Sequence, residues 1–180
     1  MCLLAVTYAG AALGYDNRSA DPTERTQALW KQGAGLHLEG RYEPAIESYR
    51  RALRMHPTAR THTYLAWSLS SLGRYDEAVS HCHAAIALDP SYPNAYNDLG
   101  SYLVALGRPG EAIQWLRHAA QTPGYCCPHF AYYHLGRALL MQARVEEAQA
   151  AFETALALRP RYRPARALLE TIHGKGLKGL

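Results

Sequence analysis

This 180-residue chain has no apolar run long enough to cross a bilayer. The longest, Met1 to Tyr15, falls short of the roughly 20 residues that a spanning helix needs. No basic segment precedes it, so it makes a poor secretory signal, although Ala9, Gly10, Ala11 and Ala12 offer a cleavage site and leave export open. Only Met1 stands before Cys2, which speaks against a lipidated cysteine. A helix lying on the rest of the fold, or a misplaced start of translation, accounts for the segment more simply. The expected location is cytoplasmic, with periplasmic export as the alternative.

Catalytic signatures are missing too. There is no phosphate loop, no Gly-x-Ser-x-Gly, no His-Glu-x-x-His and no dinucleotide fingerprint, so neither an enzyme nor a cofactor is expected. The four cysteines make no second ligand pair of zinc-type spacing. Charged residues are only 19% and hydrophobic ones 48%, which suits a folded domain rather than a disordered chain. The net charge of +4 is uneven. Residues 159–180 carry a local +5, from Arg159, Arg161, Arg163, Arg166, Lys175 and Lys178 against Glu170. With Tyr162 as the one interleaved aromatic, this cluster reads as a solvated cap, and no specific nucleic acid is expected as partner.

What the chain does contain is a repeat. Gly40-Arg41-Tyr42-Glu43-Pro44-Ala45-Ile46 aligns with Gly73-Arg74-Tyr75-Asp76-Glu77-Ala78-Val79, with Gly107-Arg108-Pro109-Gly110-Glu111-Ala112-Ile113 and with Ala143-Arg144-Val145-Glu146-Glu147-Ala148-Gln149. The steps are 33, 34 and 36 residues. Seven residues beyond each aligned alanine stands another, at Ala52, Ala85, Ala119 and Ala155. Pro57, Pro90 and Pro160 follow in three copies, and Gly124 in the third. Upstream, a large residue is followed by a small one, as in Leu29/Gly33, His62/Ala66, Tyr96/Gly100 and Tyr132/Gly136. A leucine comes three residues later, at Leu36, Leu69, Leu103 and Leu139.

This register resembles the tetratricopeptide repeat over about residues 22–173. The resemblance implies an all-α, right-handed superhelical solenoid of helix-turn-helix units. The expected organisation is an N-terminal extension (1–21), repeats at 22–58, 59–92, 93–128 and 129–162, a capping helix at 163–173 and a flexible tail at 174–180. The small residues are expected where paired helices cross, because a larger side chain would push the axes apart. Tyr49, Cys82, Leu116 and Phe152 are expected to fill the gaps between repeats. Glycine closes each first helix and proline ends each second one.

The family also implies a protein or peptide partner held on a concave face lined by the first helices, with self-association left open. The matching positions not needed for the hairpin core give a candidate groove of Trp30, His37, Arg60, Tyr64, Trp67, Asn94, Asn97, Asp98, Ser101, Tyr133, His134 and Arg137. Aromatic and Arg side chains are the usual interface anchors, and the Asn amides can bond a peptide backbone without reading its sequence. Family members that grip chaperone tails use a Lys/Asn/Arg clamp. Trp30, Ala34, Thr63, Trp67, Asp98 and His134 stand at the matching positions, so a carboxylate clamp is not expected. The N-terminal segment Met1 to Tyr15 competes for the same groove, because an apolar segment needs cover.

Two clusters invite sharper chemistry. In His81-Cys82-His83, Cys82 reads as a buried filler, and one helix cannot aim all three side chains at a single ion. Cys126-Cys127-Pro128-His129 lies in a connection two residues longer than the others, where function tends to concentrate. A vicinal disulfide or a soft-metal site on Cys126, Cys127 and His129 is one reading. The plainer reading has one cysteine tucked under the loop, one exposed, and Pro128 opening the next helix. The leading functional expectation is a non-enzymatic adaptor. The alternatives are a thiol- or metal-responsive module on that loop and a bacterial envelope assembly factor for pili or secretion.

Overall fold

The computed structural model describes residues 22–175, which form α-helices joined by short connections. In chain order they are α1 (Pro22–Leu38), α2 (Tyr42–Met55), α3 (Ala59–Ser71), α4 (Tyr75–Leu88), α5 (Pro93–Ala105), α6 (Pro109–Gln121), α7 (Pro128–Met141), α8 (Val145–Leu158) and α9 (Arg163–Lys175). The expectations placed on residues 1–21, and on residues 176–180 of the tail, lie outside the described residues. At the other end, α9 runs two residues past the expected close at 173, through Gly174 and Lys175.

The helices pack as the antiparallel pairs α1/α2, α3/α4, α5/α6 and α7/α8, and each pair stacks on the next. The first helices α1, α3, α5 and α7 also touch one another in sequence. Among the described residues no pair of second helices packs to that extent, so the array curves with its first helices on the inner side. Helix α9 closes the end by laying Ala165, Leu169 and Ile172 on α8 and turning Arg163, Arg166 and Glu170 to solvent.

Glycine sets the crossings. A Cβ built on Gly33 would stand 2.7 Å from the Tyr49 ring, and one on Gly136 would stand 2.5 Å from the Phe152 ring. A Cβ on Gly100 would run into Leu116. Tyr49, Leu116 and Phe152 therefore close the crossing inside their own hairpin, a contact added to the place between repeats expected of them. Tyr49 also reaches the neighbouring unit, with its ring 6.1 Å from Tyr64. In the second pair the small partner is Ala66, and the residue facing it in register is Cys82, the smallest of the four fillers; both are fully buried. The eight aligned alanines, from Ala45 to Ala155, have no exposed surface at all.

The turn between paired helices is the same device four times. The amides of Arg41, Arg74, Arg108 and Arg144 bond the carbonyls of Leu36, Leu69, Leu103 and Leu139, which caps the first helix from beyond its end. That turn needs a left-handed residue. Gly40, Gly73 and Gly107 supply it with φ of 75°, 74° and 72°, and Ala143 adopts φ 56° in the fourth. Each arginine then leads into a second helix, where Arg74, Arg108 and Arg144 donate to Glu77, Glu111 and Glu147 at 2.6–2.7 Å. The first copy carries Pro44 in place of that glutamate. These are exposed pairs of small energetic weight.

A concave cavity as candidate binding site

A cavity of about 400 Å³ opens on the inner side of the array. Helix α3 supplies Thr63, Tyr64, Trp67 and Ser70, helix α5 supplies Asn94, Asn97, Asp98, Ser101 and Tyr102, and helix α7 supplies Phe130 and His134. Tyr92 and the connection after α6, with Tyr125, Cys126 and Cys127, complete the wall.

Seven of the twelve sequence-derived groove residues meet there: Tyr64, Trp67, Asn94, Asn97, Asp98, Ser101 and His134. The other five lie outside this wall, each for a visible reason. His37 is buried between helices, where its Nδ1 meets the Ser68 hydroxyl at 2.8 Å and its ring lies 3.8 Å from that of Trp67. Trp30 packs edge-on against Tyr64, and the Arg60 guanidinium covers its ring at 3.9 Å. Tyr133 turns toward Phe152 and Tyr162, with Arg137 over it at 5.8 Å.

Tyr92, Tyr125 and the two cysteines were not in the expected groove. Tyr92 sits at the cap position before α5, where its hydroxyl meets the Asn94 amide at 3.4 Å. Tyr125 reaches the cavity because the Thr122–Cys127 connection is long enough to fold across its edge. The longer connection was the available signal for Tyr125. Nothing comparable in the sequence marks Tyr92.

The threonine and serine hydroxyls of the wall bond carbonyls of their own helices. Thr63 donates to the Ala59 carbonyl, Ser70 to Trp67 and Ser101 to Asp98. Aimed elsewhere are the groups of Asn97 and Asp98. The Asn97 amide donates to the Asp98 carboxylate at 3.0 Å, and its buried Oδ1 has no partner among the described residues. Burial raises the Asp98 carboxyl to about 6, and the Asn97 hydrogen bond holds it from rising further. Burial, with Arg137 nearby, lowers His134 to about 3, so its ring is neutral at physiological pH. The lining contains no Lys or Arg. The wall is therefore aromatic, with one acid, no cation, and two buried polar atoms, Asn97 Oδ1 and His134 Nδ1, that lack a partner among the described residues.

The cysteine-rich clusters resolve simply. Cys82 is fully buried and burial raises its thiol well above the ordinary range, so it is a packing residue. Its neighbour His81 meets His62 across the α3/α4 hairpin, Nδ1 to Nδ1 at 2.9 Å, while His83 is exposed beside Trp115. Cys126 is exposed and Cys127 buried, with their sulfurs 3.3 Å apart, a thiol contact rather than a disulfide. His129 is buried against Phe130 and Tyr162. Among the described residues no three His, Cys, Asp or Glu side chains gather as metal ligands. No helix among them is long and apolar enough to cross a membrane.

Comparison with known proteins places this architecture. Residues 27–58, 63–125 and 129–162 each match a tetratricopeptide repeat family profile. The chain belongs to the tetratricopeptide repeat family, an all-α solenoid class of protein-interaction scaffolds. It is 36% identical over 106 residues to the small glutamine-rich tetratricopeptide repeat-containing protein 2 of Saccharomyces cerevisiae, across 58% of this chain and 31% of that one. The chain thus spans about a third of that relative's length. Among solved structures, Pseudomonas aeruginosa pilF superposes with a TM-score of 0.80 at 25% identity, over 86% of this chain and 70% of that one. The second repeat domain of Spaghetti (RPAP3), bound to the HSP90 peptide SRMEEVD, superposes with a TM-score of 0.54 at 30% identity, over 55% of this chain and 93% of that one.

Proposed function

We propose that the chain is a non-enzymatic adaptor that holds a segment of a partner protein, about 5–10 residues, on the inner face of its helical array. The observation that supports this is the aromatic cavity built jointly by α3, α5, α7 and the Thr122–Cys127 connection. Aromatic walls give large contact area at low entropic cost, and an open amide oxygen beside them suits a peptide N–H. The RPAP3 domain holds its peptide on the same class of fold. That peptide is acidic, whereas this cavity has no cation in its lining, so a different peptide chemistry is expected here.

Selection of a displayed random heptapeptide library on the purified chain tests the reading, followed by fluorescence polarisation of the enriched peptides. Ser101→Phe fills the cavity from α5 while leaving every aromatic residue of the wall in place. It should weaken binding at least tenfold while the circular dichroism spectrum stays unchanged. Enriched peptides that bind Ser101→Phe as well as wild type would remove the cavity from the account. Trp67→Ala is a poorer probe, because the Trp67 ring also supports His37 and Tyr64.

A second reading has one observation in its favour. Cys126 and Cys127 stand in thiol contact on the cavity wall, so joining them would reshape the surface a partner meets. Intact-mass measurement of the native chain, with and without reductant, tests whether that thiol-responsive state forms.

A further inference from the structure

We propose that the cavity selects a basic side chain: the occupant inserts a Lys or Arg between the aromatic rings and sets its charge against Asp98, with Asn97 Oδ1 as second acceptor. This deepens the adaptor reading above and rests on it.

Three features of the wall argue together. The first is charge. Asp98 is the one carboxylate of the lining, its described hydrogen-bond donor is the neutral Asn97 amide, and no Lys or Arg shares the wall. A carboxylate in such surroundings gains from a cation brought by the ligand. The second is the unpaired acceptor. Asn97 is only 7% exposed, and its Oδ1 lacks a partner among the described residues. Its amide NH₂ is fixed toward Asp98, so the oxygen can only accept. A buried acceptor left open costs free energy that a donor from the ligand would recover. An ammonium carries three N–H groups and a guanidinium five, enough to serve Asp98 and Asn97 at once. The third is the ring set. Tyr64, Trp67, Tyr92 and Phe130 line the cavity, and aromatic rings attract a cation and pack on the aliphatic stem of Lys or Arg. The neighbouring imidazole, His134, does not oppose this, because it is uncharged at neutral pH.

An acidic or carboxylate-ended peptide meets the reverse of what it needs: a negative group, an open acceptor and Thr63, Ser70 and Ser101 hydroxyls already given to carbonyls of their own helices. A purely apolar segment would bury the rings and leave Asp98 without a countercharge and Asn97 Oδ1 without a donor.

Four heptapeptide pools test the proposal, each with equal mixtures at six positions and Lys, Arg, norleucine or Glu fixed at the fourth. Retention on immobilised wild-type chain is compared with retention on Asp98→Asn. The Lys and Arg pools should bind wild type about tenfold or more tightly than norleucine, with Glu weakest, as a charge-assisted contact implies. Asp98→Asn keeps the shape and removes the charge, so the Lys-over-norleucine preference should fall to near parity. Equal retention of the Lys and norleucine pools on wild type would overturn the cation proposal and leave the groove reading standing. A preference undiminished in Asp98→Asn would also overturn it. Retention of no pool at all would overturn both. The wild-type comparison alone remains decisive if Asp98→Asn folds poorly.

Discussion

Replacing Gly136 by alanine sets two known effects against each other. Alanine is the better helix former, by about 1 kcal/mol in a helix interior. The new methyl, however, would stand 2.5, 2.7 and 2.8 Å from Cε1, Cζ and Cδ1 of Phe152. Ordinary carbon contacts lie near 3.5–4.0 Å, so ring or helix must retreat by about 1 Å. Phe152 has no exposed surface, and close-packed interiors give little room for that movement. Overpacking of this kind costs about 1–3 kcal/mol. A rigid ring clamped on all sides belongs in the upper part of that range, so the net expectation is a loss of about 1–2 kcal/mol after the helix gain. Gly35→Ala supplies the control. It lies in α1 with nothing within 4 Å of a built Cβ, so it should gain stability, by up to about 1 kcal/mol. Urea unfolding followed by circular dichroism and tryptophan fluorescence measures both, with coincident transitions required before energies are assigned. Phe152→Leu in the Gly136→Ala background should cost less than the sum of the single changes. If Gly136→Ala and Gly35→Ala both stabilised to the same degree, the crossing would have room to spare and the steric reasoning would be refuted.

Ala143 takes a left-handed conformation that the other three turns give to glycine, so Ala143→Gly should raise the urea midpoint by an amount worth about 0.5–1 kcal/mol, whereas Gly73→Ala should lower it. The His62–His81 contact predicts acid sensitivity. Burial, and then His81, lowers His62 to about 4 against 6.5 in the unfolded chain, so the stability present above pH 6.5 is lost as pH falls toward 4. Burial first, and then Arg50, opposes charge on His81, while Glu77 favours it. Partial exposure of His62 screens the effect to about 1–2 kcal/mol, and His62→Gln should lose less stability than wild type between pH 7.5 and 4.5. Glu147→Gln breaks an exposed ion pair with Arg144 and should change thermal stability by less than about 1 kcal/mol; a larger loss would show that the repeated turn pairs carry the array.

The helical register was legible because a solenoid writes its core into the sequence at a fixed interval. Alanines at 45, 78, 112 and 148 are recognisable as a set only because their neighbours recur, and each is fully buried. The wall of the cavity does not recur, and that is where the residues alone fell short. His37 reads as an inner-face position, yet Ser68 of the next hairpin pairs with it and Trp67 covers it. Which side chains a neighbouring repeat claims depends on the small rotation between units, and no single repeat encodes that rotation. Tyr125 depends on the path of an irregular loop. The His62–His81 contact joins residues that count, one by one, as hairpin filler and helix flank.

The six-residue passage from α6 to α7 carries a further implication for how such chains diversify. It adds length at the one kind of joint where an extra residue leaves every helix in phase with its mate. Interaction chemistry can then be rewritten at that joint while the stacked alanines and glycines stay untouched. Under the proposed groove reading, exchanging residues 122–127 for other sequences of equal span should alter selectivity on an unchanged frame.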